Sequence, residues 1–172
     1  MDGIEIETRH ERIQTGAAVL AAGAWSGQIE ISGVTLPVPI KPVRGQLLHL
    51  GWAADPVGRI TWDERCYVVP WRDGTLLVGA TVEHAGFDER PTVAGVKSLL
   101  DAVSDLLPNA SAAALLDVRV GLRPGSPDPL PIIGWSEVVP RLMRGAWMVH
   151  PVNARATSVT SFCVYPPSTP SV

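Results

Sequence analysis

Charge is scarce in this chain, and neither sign dominates. Lys plus Arg is 14 and Asp plus Glu is 17, which leaves a net charge of −3 over 172 residues. There is no basic excess or stripe to track a phosphate backbone, so a nucleic-acid partner is not expected. Cysteine is scarcer still. Cys66 and Cys163 make neither a disulfide framework nor a zinc site, and a reducing, cytoplasmic compartment is the expectation. No apolar run can cross a bilayer: the least charged internal stretch, 13–29, is interrupted by Gln14, Thr15, Ser26, Gln28 and three glycines. The start, Met1 to Glu7, is acidic where a secretory signal needs basic residues followed by an apolar run. His10, His49, His84 and His150 show neither i, i+4 pairing nor the carboxylate spacing of a metal centre, so no metal is expected. No internal repeat is present.

What the chain does have is apolar content and turn formers. Hydrophobic residues are 46%, enough for a core, and Gly and Pro number 16 each, which favours many short elements over a long-helix bundle. Ile4 and Ile6 alternate with Glu5 and Glu7, predicting a half-buried strand, with 9–14 as its returning partner. Ala17 to Ala22 is apolar without alternation and stops at Gly23, as in a parallel strand buried on both faces. Gly45 to Leu50, Arg65 to Pro70, Thr75 to Thr81 and Leu115 to Val120 read as strands, with Asp73-Gly74 as a hairpin signal. Leu36 to Pro42 is an extended, proline-rich connector, and Ala146 to Val149 closes the series as a further strand. Val96, Leu99, Leu100, Val103, Leu106 and Leu107 follow helical spacing, with Thr92 as N-cap and Pro108 as stop. Gly121 to Pro131 reads as a Gly/Pro loop carrying Arg123. Ala156 to Val172 has no charged residue, is rich in Ser, Thr and Pro, and reads as disordered or foreign to the fold.

Two familiar motifs fail. Gly74 to Thr81 has the glycine spacing of a P-loop but Ala80 where its Lys belongs. Gly23-Ala24-Trp25-Ser26-Gly27 is out of register with a nucleophile elbow. Two segments carry more. Val19 to Ser26 delivers a small-residue turn after a strand, suited either to close approach of a ligand or simply to a tight turn packed by Trp25. Gly121 to Asp128 holds Arg123 in a stiff setting. That guanidinium could grip a carboxylate in bidentate fashion, or pair with Asp128, and by pattern alone the second reading leads.

Taken together, Ala18 to Ser26, Val43-Arg44-Gly45-Gln46, Cys66 to Pro70, Leu77 to Glu83, Gly121 to Gly125 and Leu130 to Gly134 resemble the FAD-dependent amino-acid oxidase family, in particular its glycine-oxidase branch of thiamine biosynthesis. The resemblance covers roughly residues 3 to 149 and looks like the C-terminal half of such an enzyme. It implies an α+β fold: an antiparallel substrate-domain sheet with a flanking helix, plus an incomplete portion of a Rossmann-like FAD domain. Residues 1–30 would belong to the FAD domain, 31–120 to the substrate domain and 121–149 to a return toward the FAD domain, with 150–172 a non-family tail. It further implies that Arg123 holds the substrate α-carboxylate, assisted by Tyr67. Trp62 and Val82 would line the pocket, and Ala22, Gly23 and Trp25 would contact FAD. The implied reaction oxidises a small, glycine-like amino acid to its imino acid, with oxygen reduced to hydrogen peroxide. Sarcosine oxidation and D-amino-acid dehydrogenation remain open. No residue is assigned to proton transfer.

Two departures bear on this. No Gly-x-Gly-x-x-Gly follows a strand, so the dinucleotide fingerprint is absent, and a missing N-terminal half is expected as partner. Second, His150-Pro151-Val152-Asn153 does not match the family's closing Gly-His-Tyr/Phe-Arg-Asn-Gly. Codons for Ala156 to Thr160 can spell His-Phe-Arg-Asn in another frame, so the tail is expected to be a frameshifted translation. The isolated chain is expected to bind FAD poorly and to lack oxidase activity, as a non-enzymatic remnant or one half of a split flavoenzyme. A plain β-rich binding module would instead require Tyr67 and Arg123 to point apart.

Overall fold

A computed structural model describes residues 3–31, 39–128 and 130–146. The expected hairpin forms from β1 (Ile4–Glu7) and β2 (Arg12–Thr15), with Ile6 opposite Ile13. It is more exposed than its alternation suggested: Ile6 and Ile13 are 38% and 40% accessible, because a two-stranded ribbon supplies no second layer of its own. Then come β3 (Ala18–Leu20), a 3₁₀ turn (Gly23–Gln28), β4 (Lys41–Gly51), β5 (Thr61–Trp62), β6 (Tyr67–Pro70) and β7 (Thr75–Gly79). After these follow α1 (Val93–Leu106), a second 3₁₀ turn (Pro108–Ala112), β8 (Ala114–Gly125), β9 (Ile132–Trp135) and β10 (Leu142–Ala146).

Five strands make an antiparallel sheet in the order β5-β6-β7-β4-β8. The predicted hairpin joins β6 to β7, with Gly74 at φ +83° and the Asp73 carboxylate accepting from the Thr75 amide and hydroxyl. Alternation puts Leu48, Leu50, Val68, Leu76 and Val78 on one face, where α1 covers them with Leu99, Ala102 and Val103. The helix begins at its expected cap, the Thr92 hydroxyl accepting from the Gly95 amide at 3.1 Å, and ends before Pro108.

Arg123 does not lie in a loop. β8 runs through it to Gly125, against the expectation of a Gly/Pro loop from 121. The first half of β4 extends past the end of β7 and pairs there with β8, from Lys41 opposite Gly125 onward. Pro42 faces Pro124 where neither needs an amide partner, and β8 is an edge strand, so the prolines are tolerated.

The second sheet is small: β3-β10-β9, with β10 parallel to β3 and antiparallel to β9. The parallel pairing of Ala18 to Leu20 agrees with expectation, but burial on both faces does not. β3 is an edge strand, and Val19 is 69% exposed. Leu20, Ile132 and Ala146 turn inward onto Ile40, while Val19, Ile133 and Trp135 share the other, open face. The Gly23–Gln28 turn packs against β4, β8 and β10 and so joins the two sheets. Among the described residues no helix is long and apolar enough to cross a membrane, and no group of His, Cys, Asp or Glu is placed to hold a metal. The further strand foreseen at Ala146 to Val149 is realised earlier, as β10; 147–149, the 150–172 tail with Cys163 and residues 36–38 of the 36–42 connector lie outside the described residues.

Candidate functional site

The face of the large sheet turned away from α1 gathers the predicted residues. Cross-strand neighbours share a face, and the row Trp62, Tyr67, Gly79, Leu47 runs straight across β5, β6, β7 and β4. Two residues back along β4, and on the same side, lies Gly45. Two further is Val43, directly opposite Arg123. Tyr67 and Arg123 therefore point to the same side, and the plain binding module that needed them apart finds no support. Each feels the other's field. Burial raises the Tyr67 pKa and the Arg123 charge pulls it back, while burial lowers that of Arg123 and Tyr67 opposes it.

Glycines make this convergence possible. A Cβ on Gly79 would sit 2.5 Å from the ring carbon and hydroxyl of Tyr67, so the phenol lies flat on bare backbone. A Cβ on Gly45 would come within 2.9 Å of Arg123 Cζ, so the guanidinium crosses β4 where no side chain blocks it. On the far side Arg123 Nη2 donates to the Thr81 carbonyl. The segment after β7 continues beside β4, with Glu83 bridged to Arg44. Glu83 faces the buried side with Arg44, which leaves neighbouring Val82 on the Arg123 side, 42% exposed. Trp62 is 65% exposed at the far end of the row.

Charge pairing separates Arg123 from its neighbours. Of the arginines in β4 and β8, Arg44 pairs with Glu83 at 2.6 Å and Arg119 with Asp117 at 3.0 Å. Arg123 makes no such pair among the described residues; Asp128, the alternative partner, instead accepts from the Leu130 amide. A half-buried guanidinium without a counter-ion is suited to an incoming carboxylate.

Ala22, Gly23 and Trp25 are not in this group. Gly23 takes φ +56°, which favours glycine, and starts the 3₁₀ turn. The Trp25 ring packs against Phe87, centroids 6.1 Å apart. In the same turn Ser26 is buried, and its hydroxyl has no hydrogen-bond partner; nor has Arg144 Nε in β10.

The sequence reading attached no role to Arg44, Gln46, Thr81 or Glu83. Gln46 is fully buried, its amide nitrogen donating to Glu83 at 2.7 Å and to the Thr92 hydroxyl at 2.9 Å. Burial pushes the Glu83 carboxyl up, but hydrogen bonds from Thr81, Arg44 and Gln46 outweigh it and hold the pKa below the ordinary value. The available signal was the charged Arg44 and the amide Gln46 set between the apolar Val43 and the Leu47-Leu48 pair, which demands buried partners.

A family model described as FAD dependent oxidoreductase matches residues 2–153. Glycine oxidase of Pseudomonas aeruginosa is 38% identical over 131 residues, covering 76% of this chain and 36% of that protein. The bifunctional protein ThiO/ThiG of Trichormus variabilis is 34% identical, covering 77% of this chain and 20% of that one. Among solved structures, glycine oxidase from Geobacillus kaustophilus superposes with a TM-score of 0.76 at 29% identity, over 84% of this chain and 39% of that one. Iminodiacetate oxidase from Chelativorans sp. BNC1 does so with a TM-score of 0.72 at 30% identity, over 78% and 37%. The chain spans 36% and 35% of the lengths of two glycine oxidases it matches. The α+β fold and the motifs along it thus have one origin: the chain belongs to the FAD-dependent oxidoreductase family.

Proposed function

We propose that this chain is the carboxylate-binding part of an FAD-dependent oxidoreductase acting on a small, glycine-like amino acid. The observation that carries the reading is the half-buried, counter-ion-free guanidinium of Arg123 beside Tyr67. One Arg123 N–H is committed to the Thr81 carbonyl, and the others are left to grip the substrate carboxylate. Tyr67, a neutral phenol whose pKa burial raises further, donates a hydrogen bond from its hydroxyl to the same carboxylate. With one end of the amino acid fixed by two donors, its amine and α-carbon are held in one orientation, and Val82 and Trp62 stand as walls of the pocket.

FAD would supply the electron acceptor, and the described residues fit only part of it. The orphaned Ser26 hydroxyl and Arg144 Nε are suited to a neighbour that brings acceptors. Among the described residues nothing fits the diphosphate. α1 is the one α-helix among the described residues; its first turn is capped by Thr92, and it lies against the substrate sheet. FAD binding would then depend on a further polypeptide, the missing N-terminal half or a separate chain of a split enzyme. The open face of Val19, Ile133 and Trp135 supports that requirement. In this reading the isolated chain is inactive.

The test mixes the purified chain with FAD and with glycine. The expected result is glycine binding that Arg123→Lys abolishes, no retained FAD and no peroxide. A chain that keeps FAD through gel filtration and produces peroxide from glycine would refute the inactivity; unaltered glycine binding in Arg123→Lys would refute the site.

A further inference from the structure

We infer that Thr81 and Glu83 are positioning residues for Arg123, and that Gly45 is the steric gate that lets the guanidinium reach the Thr81 carbonyl. The inference rests on the carboxylate-binding role of Arg123 and goes beyond it.

Arg123 starts on edge strand β8, where a long side chain has many rotamers. Two features remove that freedom. Gly45 opens a lane across β4, and the Thr81 carbonyl accepts from Nη2 at its end. That carbonyl is useful only if it stays aimed, and Thr81 is tied at three points. Its amide donates to the Gln46 carbonyl at 3.3 Å, its hydroxyl accepts from the Gln46 amide at 2.9 Å, and the same hydroxyl donates to Glu83 Oε1. Glu83 is in turn fixed. Oε2 receives Arg44 Nε at 3.0 Å and Nη2 at 2.6 Å, and Oε1 receives the Gln46 side-chain amide. Gln46 sits flush on Gly95, where a Cβ would lie 2.5 Å from its Cδ, and it accepts from the Thr92 amide at 2.9 Å.

A chain of buried and half-buried polar groups, hydrogen-bonded one to the next, therefore runs from the first turn of α1, beneath β4, to the single carbonyl that orients the substrate-facing arginine. Such a network holds geometry because each member, if displaced, strands another buried group. The direction of dependence follows from placement. Arg44, Gln46 and Glu83 face the helix side, away from substrate, and act only through Thr81. Thr81 in turn touches Arg123 only through its backbone.

The experiment uses the isotope-labelled chain, nuclear magnetic resonance of its arginine side-chain N–H groups, and sodium acetate as the carboxylate probe. Loss of one signal in Arg123→Lys assigns Arg123. Thr81→Val keeps the shape but removes the hydroxyl. It is expected to speed hydrogen exchange of the Arg123 N–H and to weaken acetate binding about tenfold, with the remaining amide spectrum little changed. Thr81→Ser restores the hydroxyl and is expected to bind acetate within about twofold of the parent. Gly45→Ala is expected to match Thr81→Val. Glu83→Gln is expected to behave likewise, and if it fails to fold the other three variants still decide. A folded Thr81→Val or Gly45→Ala with parental exchange and parental acetate affinity overturns the inference. If the parent chain ignores acetate, the carboxylate role of Arg123 fails, and the positioning role stands or falls on the exchange rates alone: unequal rates support it, equal rates overturn it.

Discussion

The two larger sheets among the described residues treat their apolar residues differently. In the five-stranded sheet Leu48, Val68 and Val78 are wholly buried under α1. In the three-stranded sheet Val19, Ile133 and Trp135 are 69%, 63% and 63% exposed, and only the opposite face is covered. The large sheet closes its own core because the chain between its strands β7 and β8 supplies a covering helix. The small sheet is built from segments far apart in sequence, 18–20 with 132–146, and no described element lies over its open face. The large sheet has its supporting layer within the described residues; the small sheet has one of its faces uncovered there.

The largest expected effect tests that contrast directly. Leu48→Ala removes a core side chain and should cost about 2–5 kcal/mol in denaturant unfolding, whereas Val19→Ser should stay within about 0.5 kcal/mol. Equal losses would show that the small sheet is covered after all.

A smaller effect is read from pH. The Glu83 carboxyl has its pKa lowered in the folded state: burial opposes ionisation, and the Thr81, Arg44 and Gln46 hydrogen bonds more than offset it. A lowered folded value means stability that is complete above the unfolded-state pKa and is lost as pH falls through the folded one. The unfolding midpoint should therefore drop as pH is taken below the ordinary glutamate range, and Glu83→Gln should flatten that dependence. An acid dependence unchanged in a folded Glu83→Gln would assign it to other carboxylates.

The smallest effect sharpens the picture of a closed core. Burial pushes the Cys66 thiol up to about 11, with Asp63 adding to the rise, and only 4% of the residue is accessible. Cys66 should resist alkylation near neutral pH in the native chain and react on unfolding, as mass spectrometry of its peptide would show.

Short-range pattern accounted for much of the large sheet. Helical spacing with Thr92 and Pro108 bounded α1, and Asp73-Gly74 marked the hairpin, because capping and turn chemistry act within a few residues. The same logic misread Gly121 to Gly125. Glycine and proline favour a loop locally, but a ladder with β4 supplied the missing partner from about 80 residues away. The site divides in the same way. Motifs and their order singled out Tyr67 and Arg123. The glycines that let them lie on one sheet face, and the Gln46–Glu83 network beneath, became visible only with the strands in register.

By itself, the amino-acid sequence determined the family, the helix, the main hairpin and the absence of a dinucleotide fingerprint, all properties of residue type and near spacing. Tertiary structure alone decided that Arg123 stands in a strand without a counter-ion among the described residues and that its guanidinium crosses β4 at Gly45 to reach Thr81. It also decided that one face of the second sheet is open among the described residues. Those facts depend on which strands pair and in what register, and pairing joins residues whose separation along the chain carries no local signal.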